Sequence, residues 1–436
     1  MKFPAHRAGL MEQLPAKGGL YYMDIKKILK KIEKTETPKV NKVAVAYSGG
    51  LDSSLAIELL RRKYKAKKIL PITIDVGQGE EEIYESQKKA KILKIKPLFF
   101  DLRKEFTEVW IARAIQANSD YLGYPVSTSM TRQIVARKVA EVAKEQGCDA
   151  ILEGSSGKGN DQYRMHNVFK MFAPELKILV PVRDFDLTRL EEESLCRAWG
   201  VPVTEMITGG DDKTMWCRSI ASGAIDLNQP LPDDIWMWYW PIERAPDEPS
   251  FVTLEFEKGI PIKLNEKRKA LGEIIPALNI IGGMHSIGKI DMFEDGMMDL
   301  KSREIYEAPG ATIILKLHRD LEQFCLTKDE IQVKKGIDQK WAYLIYHGMA
   351  YHPLRYDLDA FIKESQKVVN GKYKIKLFKG NIEIVYRESK TSLFSPEIRS
   401  IKATGFDQRR CADAAFVRGL PFEILAKRKK SSEGIR

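Results

Sequence analysis

What this sequence lacks narrows its function first. It has five cysteines (Cys148, Cys196, Cys217, Cys325 and Cys411), odd in number and far apart, with no Cys-x-x-Cys among them. That set predicts neither a zinc knuckle nor a disulfide framework, and it places the chain in a reducing cytoplasm. Six histidines occur without a His-x-x-x-His spacing, so metal ligation through imidazole is not expected. Long apolar runs are missing too. The longest, Ile274 to Met284, is broken by Pro276, Asn279, Gly282 and Gly283, which predicts no membrane span. Residues 1–22 mix charge, Pro and Gly without the apolar centre of a secretory leader, and read as an extension. Low-complexity tracts and internal repeats are also absent.

What remains is the composition of a soluble globular protein, 44% hydrophobic and 30% charged over 436 residues. That length supports two or three domains with substantial cores. A formal net charge of +11 suits polyanions, of which ATP is one and RNA another. The densest basic run, Lys427-Arg428-Lys429-Lys430, lies in a polar tail and reads as a solvated tail more than a nucleic-acid contact.

The stretch that organises the chain is Lys42 to Leu59. Val43-Ala44-Val45-Ala46 predicts a short buried strand, and Tyr47-Ser48-Gly49-Gly50-Leu51-Asp52-Ser53-Ser54 a tight turn into a helix over about 54–65. A strand, a Ser/Gly turn and a helix start make an anion site, because unpaired N–H groups and the helix dipole face one point. The Walker spacing is missing, and no Lys follows the glycines. Ser-Gly-Gly-x-Asp-Ser instead resembles the PP-loop of ATP pyrophosphatases, which holds the β,γ-pyrophosphate while chemistry occurs at the α-phosphate.

Further strands are predicted at 68–75, 97–101 and 149–153, with helices at 80–92, 103–117 and 129–146 between them. This alternation predicts an α/β fold, a parallel sheet with ligands at the carboxyl ends of its strands. Gly154-Ser155-Ser156-Gly157-Lys158-Gly159-Asn160-Asp161-Gln162 follows a strand directly, and should face the same edge as the first loop. From about Gly209 the pattern changes. The segment around Pro230, Trp236, Trp238, Trp240 and Pro249 predicts an extended loop. Strands at 251–257, 259–265 and 372–387 with helices at 266–280 and 311–325 then predict an α+β domain.

Taken together, these motifs resemble argininosuccinate synthase. Ser-Gly-Gly-Leu-Asp-Ser, Asp75-Val-Gly-Gln78 and Gly157-Lys-Gly-Asn-Asp-Gln-x-Arg164 stand in that family's order. Tyr124-Pro-Val-Ser-Thr128-Ser129 with Arg132, Trp216-Cys-Arg218-Ser219-Ile220 and Lys301-Ser-Arg303-Glu-Ile-Tyr306-Glu307 extend the likeness across about residues 42–420. The resemblance implies a PP-loop nucleotide domain at 40–208 and a synthetase and multimerisation domain at 209–400. It also implies a C-terminal oligomerisation segment and basic tail at 401–436, with 1–39 as an N-terminal extension. It implies an ATP-dependent carbon–nitrogen ligase of arginine biosynthesis, cytoplasmic and homotetrameric, that joins citrulline to aspartate through a citrullyl-adenylate and releases AMP and pyrophosphate.

By the same resemblance, Ala46, Tyr47, Ser48, Gly49, Gly50, Leu51, Asp52, Ser53 and Ser54 hold ATP. Ile74 lies at the adenine, and Gly154, Ser155, Ser156, Gly157, Lys158 and Gly159 close over the nucleotide. Asp52 would help hold Mg²⁺. Ser156, Asn160 and Asp161 take aspartate, with Asp52 and Asp161 the catalytic candidates. Tyr124, Ser129, Asn160, Arg164, Ser219, Glu294 and Tyr306 take citrulline. No side-chain cluster is expected to hold a metal by itself.

The chain departs from the family's pattern on the acceptor side. Gly210 stands where the family has Ser, Lys213 and Thr214 replace Glu-Asn, Asp295-Gly296 replaces Asn-Arg, and Glu304 replaces Gly. Met165-His166 stands where Phe-Glu often follows the motif's Arg. Two further readings follow: a sister ligase that adenylates another ureido or carboxyl acceptor, and a PP-loop tRNA-modifying protein. The missing cysteine pair weighs against the second.

Overall fold

The computed structural model describes residues 25–157, 159–203, 210–221, 227, 230–400, 402 and 404–432. Lys158 and most of the N-terminal extension lie outside these. Two compact units divide the chain, one running to Thr391 and the other over Ser392–Arg436.

The first unit begins with α1 (Ile25–Lys34) and then alternates strands and helices: β1 (Lys42–Ala46), α2 (Leu51–Arg62), β2 (Lys68–Asp75), α3 (Glu80–Ile92) and β3 (Leu98–Asp101). The helical stretch after β3 is α4 (Arg103–Glu105), a π-helical segment Phe106–Ile111 and α5 (Ala112–Gln116). Next come α6 (Thr128–Glu145), β4 (Ala150–Leu152), α7 (Asp161–Phe172), β5 (Lys177–Leu179), α8 (Pro181–Asp184) and α9 (Arg189–Trp199). The five strands form a parallel sheet in the order β3-β2-β1-β4-β5. Strand order reverses between β1 and β4, so the loops leaving these two strands diverge there and open a crevice at the carboxyl edge. Val43, Ala44, Val45, Ala150, Ile151 and Leu152 are fully buried, as strands covered on both faces must be.

Two local expectations are corrected. The helix after the first loop starts at Leu51, three residues earlier than the cap-type residues predict, with Gly50 as its N-cap. Asp52 and Ser53 therefore lie inside the first turn, where their side chains flank the free N–H groups. The helix predicted at 103–117 is interrupted by a π-helical segment, which periodicity alone does not reveal.

Two antiparallel sheets follow. The first strands are β6 (Gly210–Lys213), β7 (Arg218–Ala221), β8 (Ser250–Glu257), β9 (Ile260–Leu264) and β10 (Lys267–Arg268). Then come α10 (Leu271–Met284), β11 (Lys289–Asp295), β12 (Lys301–Glu307), α11 (Pro309–Cys325), α12 (Lys328–Tyr346), α13 (Pro353–Ser365), β13 (Gly371–Phe378) and β14 (Asn381–Glu388). One sheet runs β10-β9-β8-β13-β14, the other β11-β12-β7-β6. The predicted 266–280 helix thus gives up its first residues to β10 and starts at Leu271. The 372–387 stretch is a hairpin of two strands.

Trp238 and its neighbours run beside α10, where Gly283 leaves room for the chain: a Cβ there would sit 2.0 Å from Trp238 O. Glu307, fully buried, pins this segment by accepting from the backbone N–H groups of Met237, Trp238 and Tyr239 and from Arg218. A second polar joint ties the residues after α5 to α11 and α12. Lys334, 2% exposed, donates to Asp338 (2.7 Å) and Gln116 O (2.7 Å) and pairs with Glu322 (2.9 Å). Asn118 donates to Glu322 and Asp338.

The second unit holds α14 (Pro396–Arg399) and α15 (Cys411–Ser432). In α15, Phe416, Val417, Phe422 and Ile424 are exposed. No helix among the described residues is long and apolar enough to cross a membrane.

Candidate active site

The loop after β1 is built around one forced backbone conformation. Gly49 adopts φ +79°, and a Cβ there would lie 2.6 Å from the backbone of Ser86 on α3. Only glycine fits. Lys89 of α3 donates to Gly49 O at 2.9 Å, bringing a cation against the loop. Ser48 Oγ accepts from Gly50 N and lies 3.2 Å from Ser53 Oγ, and Tyr47 N donates to Ile72 O. The result is a helix start with small side chains around it. Ile74 is buried on β2, one strand over.

Asp52 does not stand alone. Arg189, at the start of α9, donates to its Oδ1 at 2.9 Å. Glu192, one turn further on, is buried beside it. Burial first, then the Asp52 charge and hydrogen bond, raise Glu192 to about 9, so at neutral pH it carries the proton that the pair shares. Nothing local to the loop signals these partners, since Arg189 and Glu192 lie 137 or more residues away in a charged helix.

The loop after β4 reaches the same place. A Cβ on Gly154 would lie 3.1 Å from Ser53 N, so this loop packs directly on the first turn of α2. Glu153 anchors it, accepting from the backbone N and hydroxyl of Ser155 through Oε2. Its Oε1 is buried with no hydrogen-bond partner among the described residues, and burial raises the carboxyl to about 7 despite the Ser155 hydrogen bonds. Arg183 packs beneath Gly157, and Gln162 donates to Gly157 O. Gly159 and Ser156 complete the described part of the loop.

Asp161, the first residue of α7, bridges two guanidiniums. Arg132 on α6 donates to Oδ2 at 2.7 Å and Arg164 to Oδ1 at 3.0 Å, while Arg132 also holds Asp212 at 2.6 Å. Burial alone would push Asp161 up, but the two cations outweigh it and hold the carboxyl below its usual range. Asp161 is therefore an anion throughout the neutral range and a weak base.

Arg164 links this group to an aromatic box. Its Nε donates to Tyr346 O at 2.9 Å and its guanidinium lies 4.7 Å from the Tyr346 ring centroid. Glu294 accepts from the hydroxyls of Tyr346 (2.7 Å) and Tyr306 (2.8 Å). Tyr306 stacks on Tyr124 at 4.1 Å, and Tyr346 on Tyr121 at 3.8 Å. Asn160 donates to the Tyr346 hydroxyl and accepts from Met297 N. Ser219 lies opposite Tyr306 in the β7–β12 register. Ser129, at the start of α6, buries a hydroxyl that has no partner among the described residues.

The predicted citrulline contacts Tyr124, Asn160, Arg164, Glu294 and Tyr306 are thus joined by direct contacts, with Ser219 beside them in register. Asp52 and Asp161 belong to separate hydrogen-bond sets, one at each loop. Tyr121, Arg132, Asp212 and Tyr346 complete the box. Arg132 was visible in the Tyr124–Ser129 motif; Tyr346 and Tyr121 were not.

Comparison with known proteins points to one family. Residues 42–202 match the family described as Arginosuccinate synthase N-terminal HUP domain, and residues 210–425 the Arginosuccinate synthase C-terminal domain. The chain is 41% identical over 396 residues to the argininosuccinate synthase of Methanocaldococcus jannaschii, covering 90% of this chain and all of that one. It is 39% identical to that of Methanopyrus kandleri, over 89% of this chain and 100% of the relative, and 40% to that of Archaeoglobus fulgidus, over 88% and 99%.

Proposed function

The chain belongs to the argininosuccinate synthase family, and from that premise we propose that it condenses L-citrulline with L-aspartate at the cost of ATP, releasing AMP and pyrophosphate. The observation that carries this reading is the junction of the two loops: Gly154 packs on the first turn of α2, and Asp161, seven positions further along the chain, is bound to Arg164 of the acceptor box.

The work divides between the two ends of the junction. Residues 46–54 receive the phosphates at the free N–H groups of α2, with Lys89 and Arg189 adding positive charge. Ile74 sits at the adenine side and Gly154–Gly159 cover the nucleotide. Arg164 offers the citrulline carboxylate a cation and Glu294 offers its ammonium an anion, which leaves the ureido oxygen turned toward the α-phosphate. That oxygen attacks phosphorus and pyrophosphate leaves. The aspartate amine, held by Asp161 with Asn160 and Ser156, then displaces AMP at the ureido carbon. Because Asp161 is a weak base, its part is to fix the amine and not to strip its proton. Arg132 holds Asp161 in place.

Asp52 puts a carboxylate beside the phosphate loop, where it would help hold a hard cation arriving with the nucleotide. Mg²⁺ there would neutralise charge on the departing pyrophosphate. We further assign functional domains to 40–208, 209–400 and 401–436, with a cytoplasmic homotetramer as the working assembly. The exposed apolar side chains of α15 support a role for the C-terminal segment in self-association.

The deciding experiment is incubation with ATP, citrulline and aspartate and identification of the products. Equimolar argininosuccinate, AMP and pyrophosphate is the expected result. AMP formed only with a different ureido or carboxyl compound would turn the reading to the sister ligase.

A further inference from the structure

Two glutamates on β12 are buried in different ways. Glu307 is met by Arg218 and three backbone N–H groups, as a structural carboxylate should be. Glu304 is 8% exposed and is met by the Ser302 hydroxyl. Among the described residues, no lysine, arginine or histidine forms an ion pair with it. Arg164, the cation whose charge it feels, is committed to Asp161 and Tyr346 O. Burial, reinforced by Glu294, raises Glu304 to about 7.

Its position gives the reason. Side chains on a strand alternate, so Ser302, Glu304 and Tyr306 share one face of the β11-β12-β7-β6 sheet. Glu294 lies opposite Ser302 and Ser219 opposite Tyr306, so this is the face that carries the acceptor box. Gly210 and Glu304 both pair with Ala221, one from each side. The two departures from the family pattern therefore fall in a single cross-strand row. Glu294, meanwhile, already accepts a tyrosine hydroxyl at each oxygen. An ammonium group brings three N–H donors and needs more acceptor capacity than Glu294 alone has left.

We propose that Glu304 is a specificity-determining residue of the acceptor pocket, a second carboxylate that receives the ammonium group of a zwitterionic ureido acceptor together with Glu294. The proposal rests on the citrulline reading above. The bound ammonium supplies the cation that Glu304 lacks in the protein. An acceptor without it leaves two carboxyls facing each other in a desolvated site, which costs binding. The pocket therefore selects α-amino ureido acids over their des-amino analogues.

The test compares wild type and Glu304→Gln with citrulline and with 5-ureidopentanoate, which lacks the amine, by AMP formation at saturating ATP and aspartate. Glutamine keeps the shape and the Ser302 contact. The expected result is a citrulline KM raised about tenfold, an unchanged or lower KM for 5-ureidopentanoate, and unchanged KM for ATP. A citrulline-to-analogue preference equal in the two proteins overturns the role of Glu304 while leaving the citrulline reading intact. Wild type forming no AMP from citrulline overturns both.

Discussion

At the residue scale the phosphate loop separates two glycines that look alike in sequence. Gly49 has φ +79° and no room for a Cβ against Ser86, whereas Gly50 has φ −65° and would meet only Ser48 Oγ, at 3.2 Å. Gly49→Ala should therefore lower stability by about 2 kcal/mol or more in urea unfolding. Gly50→Ala should stay within about 1 kcal/mol and show its effect in AMP release; equal stability of the two variants would contradict this account. Asp161 gives a second test. Asp161→Asn should largely spare citrulline-dependent ATP–pyrophosphate exchange, which needs only the first half-reaction, and reduce argininosuccinate formation by at least about a hundredfold. If exchange is lost as completely as product, Asp161 serves the first step as well. The Asp161 position was legible from Gly-Lys-Gly-Asn-Asp-Gln, because the loop motif is contiguous. Of its two guanidinium partners, Arg164 stands three residues on in α7 and belongs to the same motif, whereas Arg132 comes from α6 and only the fold brings it to the carboxylate.

At the element scale, what the sequence revealed depended on how local the determining contacts are. The βα units from Val43 to Leu152 were readable because each strand is a short apolar run and each helix follows within one turn. Sheet β11-β12-β7-β6 was not, since β7 finds β12 nearly 90 residues further along the chain and β6, Gly-Asp-Asp-Lys, carries charged residues on both faces. Glu307 sat in plain view in Lys-Ser-Arg-Glu-Ile-Tyr-Glu, yet its duty lies in holding the Trp236–Trp240 segment. Glu307→Gln keeps one oxygen for the three backbone donors but turns its amide N–H₂ against Arg218, removing that guanidinium's buried charge partner. A loss of about 3–5 kcal/mol is expected, measured by urea unfolding. Near-wild-type stability would mean that the segment is held by its tryptophans alone.

At the scale of the whole molecule, buried carboxyls set an unusual pH dependence. Asp338 is raised to about 6, Glu153 and Glu304 to about 7, and Glu192 to about 9, in each case chiefly by burial. Unfolded, each titrates near 4, so between pH 4 and these values the native state binds more protons than the unfolded chain. Stability must then fall as pH rises, and Tm should decline from about pH 5 to pH 9. Groups with lowered values, such as Asp161, lose their contribution only on the acid side of that window. Calorimetry of Glu192→Gln should show the decline above about pH 7.5 flattened; a wild-type Tm that climbs toward pH 9 would refute the assignment. The span of the acceptor box has one more consequence, for biosynthesis. Arg164 takes its backbone partner from Tyr346, 182 residues downstream. At a synthesis rate of ~5–20 residues per second, that partner emerges roughly 10–35 s later. The parallel sheet, complete by Leu179, has time to assemble in the interval. The nascent chain thus passes through a stage in which the phosphate loop is finished while Arg164 and Tyr124 still face solvent, so the acceptor half of the catalyst is the last to close behind the ribosome.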